Sequence, residues 1–158
     1  MRDDSGVQID FRTVDPARPP ASELLAAMVA EMNELYGDIE FPGMPTATPA
    51  DFAQPAGAFL VGFHEDEPVC AGGIKPIAPD AAEIKRMYVV PSARRRGVAR
   101  ALLRALEDAA RERGYALVRL DTGPLQEGAM ALYAAEGYIE IGNFNGNPIA
   151  AYWGEKRL

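Results

Sequence analysis

Val89-Val90-Pro91-Ser92-Ala93-Arg94-Arg95-Arg96-Gly97-Val98-Ala99-Arg100 is the stretch on which the reading of this chain turns. It begins at the end of a run, residues 82–90, that reads as a strand. Pro91-Ser92 stop that run, since proline cannot donate to a β-ladder. A short basic loop follows. From Gly97 to about Arg113, the residues Val98, Leu102, Leu106 and Ala109 recur at the spacing of one buried helical stripe, with Leu103 and Ala110 beside it. The first turn of a helix leaves backbone N–H groups without partners and carries partial positive charge. Gly97 lets a ligand approach that backbone closely, and small Ala99 keeps the approach open. With arginines crowding the same turn, the segment is a cradle for a phosphate or pyrophosphate. It is not a Walker loop, because G-x-x-x-x-G-K-[ST] is absent, and it is not the G-x-G-x-x-G dinucleotide fingerprint. The plainer alternative is a solvated, arginine-rich helix start.

Charge sharpens the point. Between Arg86 and Leu106 stand six arginines and no Asp or Glu, inside a chain of net charge −7. A basic island in an acidic protein points to one local anion site and argues against general nucleic-acid binding. The 158 residues, 48% of them hydrophobic, are expected to form a single domain over residues 1–158 with a real core. The one cysteine, Cys70, excludes an internal disulfide and argues against a cysteine zinc site. The one histidine, His64, argues against a Ser-His-Asp arrangement or a His-rich metal centre, so no metal is expected. No run approaches the ~20 apolar residues of a membrane span. The charged start Met1-Arg2-Asp3-Asp4 does not read as a signal peptide, and a cytoplasmic location is expected.

Upstream, residues 7–14 alternate as a strand. Residues 21–36 carry Leu24, Leu25, Met28, Met32 and Leu35 on one helical stripe ended by Gly37. A Pro/Gly-rich connection spans residues 38–49, with a short helix start at Thr48-Pro49-Ala50-Asp51. Strands over 58–63 and 69–74 form a hairpin about the polar turn at 64–67. Ten of the thirteen prolines precede residue 80, so the N-terminal half is the more loop-broken. Downstream come a strand over 117–121, a turn at Thr122-Gly123-Pro124, a helix from about Gln126 to Glu136 stopped by Gly137, and strands over 138–141 and 149–153. Helices alternating with strands after residue 90 predict an α/β arrangement. In the last helix Gln126, Met130, Tyr133 and Gly137 share a face. The Tyr133 phenol there either reaches a ligand beside the sheet or is a core tyrosine. His64 reads as a solvated turn residue, Cys70 as buried and inert, and Trp153 as core or interface. The turn-rich loop Asn143-Phe144-Asn145-Gly146-Asn147-Pro148 borders either an acceptor pocket or a dimer contact.

Taken together, these residues resemble the GNAT superfamily of acyl-CoA-dependent N-acetyltransferases. The family signature Arg/Gln-x-x-Gly-x-Gly/Ala is matched by Arg94-x-x-Gly97-x-Ala99. Glu83-Ile84-Lys85-Arg86-Met87-Tyr88-Val89-Val90 looks like the family's fourth strand, and Leu132-Tyr133-x-x-x-Gly137-Tyr138 like the motif of its last helix and following turn. The resemblance covers residues 58–158 in detail. It implies a central mixed, mostly antiparallel twisted sheet of about seven strands with flanking helices and a splay between strands four and five.

It also implies a chemistry. Acetyl-CoA would be the co-substrate. Its pantetheine arm would pair with the backbone of Met87, Tyr88 and Val89. Its pyrophosphate would lie on the amides of Arg95, Arg96, Gly97, Val98, Ala99 and Arg100. Gln126 stands where the family often has an asparagine that bonds the pantetheine. The thioester would lie in the splay, near Val89 and Leu120-Asp121. The acceptor, an amine of a small molecule or peptide, would attack it directly, with an N–H near Tyr88 or Val89 stabilising the oxyanion. Tyr133 would protonate the departing thiolate; a phenol of pKa ~10 against a thiol of ~8.5 makes that transfer mildly uphill. Glu83 would be the base, on a face that strict alternation shares with Lys85, Met87 and Val89; a surface charge paired with Lys85 is its alternative. Glu34, Asp38 and Glu40 would line the acceptor side, and a homodimer is expected. Two rival readings are an acyl-CoA-binding module without catalysis, disfavoured by the retention of Gly97 and Tyr133, and a nucleic-acid-binding domain, disfavoured by the net charge.

Overall fold

The amphipathic stripe of the long C-terminal helix organises the molecule. In the computed structural model, which describes residues 7–37, 47–126 and 128–158, this helix, α2 (Val98–Glu112), buries Val98, Leu102, Leu103, Leu106, Ala109 and Ala110 against one face of a seven-stranded sheet. Fully burying a leucine contributes about 1.5–3 kcal/mol, so the stripe is a main anchor of the fold. The opposite face is covered over β2–β4 by α1 (Ala21–Tyr36), through Leu24 and Met28. Leu35, at the end of the predicted α1 stripe, is exposed.

The strands are β1 (Asp10–Thr13), β2 (Ala58–His64), β3 (Glu67–Ala78), β4 (Ala81–Val89), β5 (Leu117–Thr122), β6 (Ile139–Glu140) and β7 (Tyr152–Arg157); a third helix, α3 (Ala129–Ala135), lies between β5 and β6. Their order across the sheet is β1-β2-β3-β4-β5-β7-β6. Only β4 and β5 run parallel; the other pairs are antiparallel. The expected mixed, mostly antiparallel sheet with flanking helices is therefore present. A 3-10 turn at Pro49–Phe52 fulfils the short helix start expected at Thr48, whose backbone N–H donates to Asp51 at 2.7 Å.

Two sequence expectations are corrected. The last strand spans 152–157 rather than 149–153. Its partner β5 pairs Thr122 with Tyr152 through Leu117 with Arg157, while Asn147 and Ala151 are held in the loop, the former through Asn145 Oδ1 and the latter through the Thr122 carbonyl. The last helix begins at Ala129 rather than Gln126, because the Gln126 side chain is used in the turn before it. β4 also does not alternate strictly. The register slips between the pairs Lys85–Gly73 and Tyr88–Ala71, and Arg86 there has φ +64. Such a bulge places two residues opposite one and flips the faces beyond it. Ala82, Ile84, Met87 and Val89 therefore pack with the α2 core, whereas Tyr88 packs with the α1 core. Glu83 and Lys85 do not share a face with Met87 and Val89.

Candidate active site

β4 and β5 make only three paired positions, Ala81–Leu117, Ala82–Val118 and Glu83–Arg119. Beyond them β4 continues to Val89 on β3, and β5 continues to Thr122 on β7. The two strands part after Glu83, leaving a gap in the middle of the sheet. The loop and α2 lie at the far end of β4.

At that end the backbone is built to receive an anion. Arg95 has φ +65 and Gly97 φ +77, both left-handed. Left-handed residues interleaved with ordinary ones turn successive N–H groups toward one concave side. For Arg95 this conformation costs about 1–2 kcal/mol, which the surrounding structure must offset. Among the described residues no side chain caps α2, its first turn holds no acidic residue, and none of the amides from Arg95 to Arg100 has an internal acceptor. Six consecutive donors at a helix start fit a diphosphate.

The arginines divide. Arg95 and Arg96 are exposed. Arg94 instead turns back: its Nε donates to the Val89 carbonyl at 2.9 Å, its Nη2 meets Glu31 of α1 at 2.6 Å, and its guanidinium lies 5.6 Å from the Tyr88 ring centre. Val90 donates to Val69 on β3, so alternation turns the N–H and C=O of Val89 toward the gap. Arg94 therefore already holds one of the polar groups expected to meet the pantetheine. Arg104 and Arg100 approach Glu136, just past α3, at 2.6 and 3.6 Å. These pairs tie α2 to the helix carrying Tyr133.

α3 ends at Ala135, and Gly137 just beyond it, with φ +94, lets Tyr138 N–H reach back to the Tyr133 carbonyl at 3.0 Å. Tyr133 is buried, stacked 6.1 Å from Tyr152 and tilted 5.7 Å from Tyr138. Among the described residues its hydroxyl has no hydrogen-bond partner. Burial raises its pKa above the ordinary phenol range, and the negative charge of Asp121 adds to the rise. That keeps the phenol protonated but steepens proton transfer to a thiolate. The same dry surroundings also penalise the thiolate, which narrows the difference. Gln126, expected to face a cofactor, spends its side-chain oxygen on the Thr122 hydroxyl at 3.0 Å and Gly123 N–H at 2.9 Å, leaving only its amide nitrogen to donate outward. The turn is held from the other side by Tyr36 of α1, whose hydroxyl accepts from Leu125 N–H at 3.0 Å. Gly123 makes room for it, since a Cβ there would sit 2.3 Å from the Tyr36 oxygen.

On the α1 side of the gap, Glu83 is 2% exposed, so it is a buried rather than a surface carboxylate. A buried charge must be paired and hydrogen-bonded. Lys85 Nζ lies 3.4 Å away, and Asn145 Nδ2 donates to Glu83 Oε2 at 2.8 Å. The same Nδ2 reaches Asp121 Oδ2 at 2.5 Å, and Asn147 Nδ2 reaches that oxygen at 3.1 Å. Trp153 Nε1 donates to Asn145 Oδ1 at 3.1 Å. The asparagine-rich loop therefore borders the gap, and Trp153 belongs to its network rather than to a generic core. The sequence reading placed Asp121 near the thioester and the loop of Asn145 beside either an acceptor pocket or a dimer contact, but missed the bond that joins the two residues. It also missed Glu107, a carboxylate 2% exposed within the α2 stripe, which accepts from Tyr138 at 2.8 Å and pairs with Lys156 at 3.0 Å. A charge at an apolar stripe position was the available clue.

Glu34 is exposed on α1, while Asp38 and Glu40 lie outside the described residues. His64 Nδ1 lies 3.0 Å from the Gln8 carbonyl. Cys70 is fully buried, and burial pushes its thiol up to about 12. Among the described residues there is no cluster of three or more His, Cys, Asp or Glu placed to hold a metal ion, and no helix long and apolar enough to cross a membrane.

Comparison with known proteins agrees with this geometry. The profile of the acetyltransferase (GNAT) family matches residues 25–138. The chain is 30% identical over 126 residues to the uncharacterized N-acetyltransferase YjgM of Escherichia coli (strain K12), covering 74% of this chain and 75% of that protein. It is also 30% identical over 128 residues to the IAA acetyltransferase of Azospirillum brasilense, covering 79% and 83% of the two. An aminoglycoside 6'-N-acetyltransferase solved with coenzyme A shares the fold at a TM-score of 0.69 and 20% identity, over 94% of this chain and 96% of that one. An uncapped helix start with open amides, a parted β4–β5 pair and a match across most of the chain lead to one conclusion: this protein belongs to the acetyltransferase (GNAT) family and is an N-acetyltransferase dependent on acetyl-CoA.

Proposed function

We propose that this chain, as a single domain, transfers an acetyl group from acetyl-CoA to a primary amine of a small molecule or peptide, by direct attack within a ternary complex. The observation that carries the reading is the run of six amides, Arg95 to Arg100, at the start of α2 without acceptors among the described residues. These amides, with exposed Arg95 and Arg96, would hold the diphosphate by charge-assisted hydrogen bonds. The β4 backbone from Met87 to Val89 would hold the pantetheine, with Gln126 offering its amide nitrogen.

When bound, acetyl-CoA supplies an activated acyl carbon and a thiolate leaving group. The protein then has three tasks. The Val89 N–H, turned toward the gap, would offer a hydrogen bond to negative charge developing on the carbonyl oxygen. Tyr133, protonated through burial, would deliver its proton from the α2 side of the sheet. Glu83, on the α1 side, would take the acceptor's proton, through a water relay because the carboxylate is buried. Acid and base thus lie on opposite faces of the parted strands. We infer a homodimer and a cytoplasmic location as the ordinary setting of such an enzyme.

The test is release of free CoA across a panel of amines, with calorimetric titration of acetyl-CoA alongside. The expected result is saturable acetyl-CoA binding and amine-dependent release. Binding without release on any amine would overturn the transfer reading and leave a binding module.

A further inference from the structure

Five residues from four elements of the chain meet where β4 and β5 separate: Glu83 and Lys85 of β4, Asp121 of β5, Asn145 of the loop before β7, and Trp153 of β7. One atom joins them. Asn145 Nδ2 donates to a carboxylate on each side of the gap, Glu83 Oε2 and Asp121 Oδ2. An amide nitrogen carries two N–H donors, so both bonds are made by its full complement. Its orientation is set from behind, since Asn145 Oδ1 accepts from Trp153 Nε1 at 3.1 Å and from Asn147 N–H at 3.1 Å. With the oxygen held by two donors, the nitrogen faces the carboxylates. The backbone pairing that would otherwise fix the two strands relative to each other has ended at Glu83–Arg119.

We propose that Asn145 is the positioning residue of this site: its side-chain amide bridges Glu83 and Asp121 across the mouth of the gap and so sets where the Glu83 carboxylate meets the acceptor's proton. The proposal rests on the reading of Glu83 as base. Asn145 acts through Glu83 and does not itself touch the reacting atoms. It supplies a side-chain substitute for the missing β4–β5 ladder at the one place where the strands must be both apart and in register.

Two substitutions separate this role from a structural one. Asn145→Asp keeps the oxygen that receives Trp153 and Asn147 but removes the donor and sets a carboxylate against two others. Asn145→Ala removes both ends and serves if the aspartate variant does not fold. Release of free CoA is followed with the fastest amine of a panel of tyramine, spermidine and a lysyl peptide. The expected outcome for Asn145→Asp is a kcat loss of roughly tenfold to a hundredfold, the scale on which misplacing a catalytic group acts. KM for acetyl-CoA should be unchanged. In a Glu83→Gln background the Asn145→Ala loss should vanish, since one path is removed only once. Wild-type turnover in Asn145→Asp, or an undiminished Asn145→Ala loss in that background, overturns the proposal. A Glu83→Gln variant with full turnover instead overturns the base reading, and with it the route through which Asn145 is said to act. A readout independent of activity comes from the only tryptophan in the chain. Its indole N–H resonance should move in Glu83→Gln, because Asn145 links the two side chains. An unmoved resonance means that the bridge does not couple them, and it overturns the proposal even if no amine is turned over.

Discussion

The two sides of the gap are made in opposite ways. The cradle on the α2 side is contiguous: Arg95 to Arg100 are six neighbours whose donors have no acceptor among the described residues, the last four because a helix start cannot satisfy them. The cluster on the α1 side is assembled from residues up to 70 positions apart, Glu83 to Trp153, and there each named polar group has found a partner. The difference teaches a division of labour. A ligand that many relatives share can be met by backbone, which every sequence supplies. A position beside the acceptor needs particular side chains, and a buried carboxylate among them must be satisfied before any ligand arrives.

The largest effect is expected from cutting the tie between α2 and β7. Glu107 of α2 holds Lys156 of β7 and the Tyr138 hydroxyl. Glu107→Ala leaves a half-buried ammonium and a buried phenol without their acceptor and should cost about 3 kcal/mol in urea unfolding, the low end for a broken buried pair because Lys156 keeps some exposure. A loss below that of an ordinary surface substitution would show that the two elements stand independently. Tyr133→Phe tests the α2 side chemically. It should lower kcat roughly a hundredfold, with acetyl-CoA affinity by calorimetry unchanged, because only a proton donor is removed. Equal turnover would remove Tyr133 from the chemistry.

Gly97→Asp tests the backbone donors. Aspartate is among the few residues that tolerate the left-handed conformation of Gly97, so the variant should fold. Its carboxylate would occupy the amides, and acetyl-CoA affinity should fall roughly tenfold. Unchanged affinity would mean that the cradle is not the diphosphate site. The mildest test is pH. Burial raises the Tyr133 pKa, so the group stays protonated in the folded protein where a free phenol, of pKa about 10, begins to ionise. The acid form is therefore fully present below that value, and kcat should show no alkaline fall from Tyr133 between pH 7 and about 10. A fall near pH 8 that disappears in Tyr133→Phe would contradict this. The same sign governs stability. Because the unfolded chain releases this proton first, stability attributable to Tyr133 is lost only as pH rises beyond about 10.

Legibility followed the same division. The strand into Pro91, the stripe Val98–Leu102–Leu106–Ala109 and the stops at Gly37 and Gly137 were readable because each depends on neighbours within one or two turns. The bulge at Arg86 was not. Nothing in Lys85-Arg86-Met87 announces a left-handed residue, and the slip arises from how β3 pairs, so the faces of Met87 and Val89 were misassigned. Gln126 lies in the turn before α3 rather than within the helix, since its oxygen closes that turn.

The order of elements, the helix start with its arginines and the tyrosine one turn from Gly137 were written in the chain itself, because local periodicity, capping and chirality act over a few residues. Which arginines stay open, which carboxylates are buried and which asparagine bridges them were decided only when β4 and β5 parted and the loop before β7 folded across the opening. Those contacts depend on long-range packing, which no short window of sequence contains.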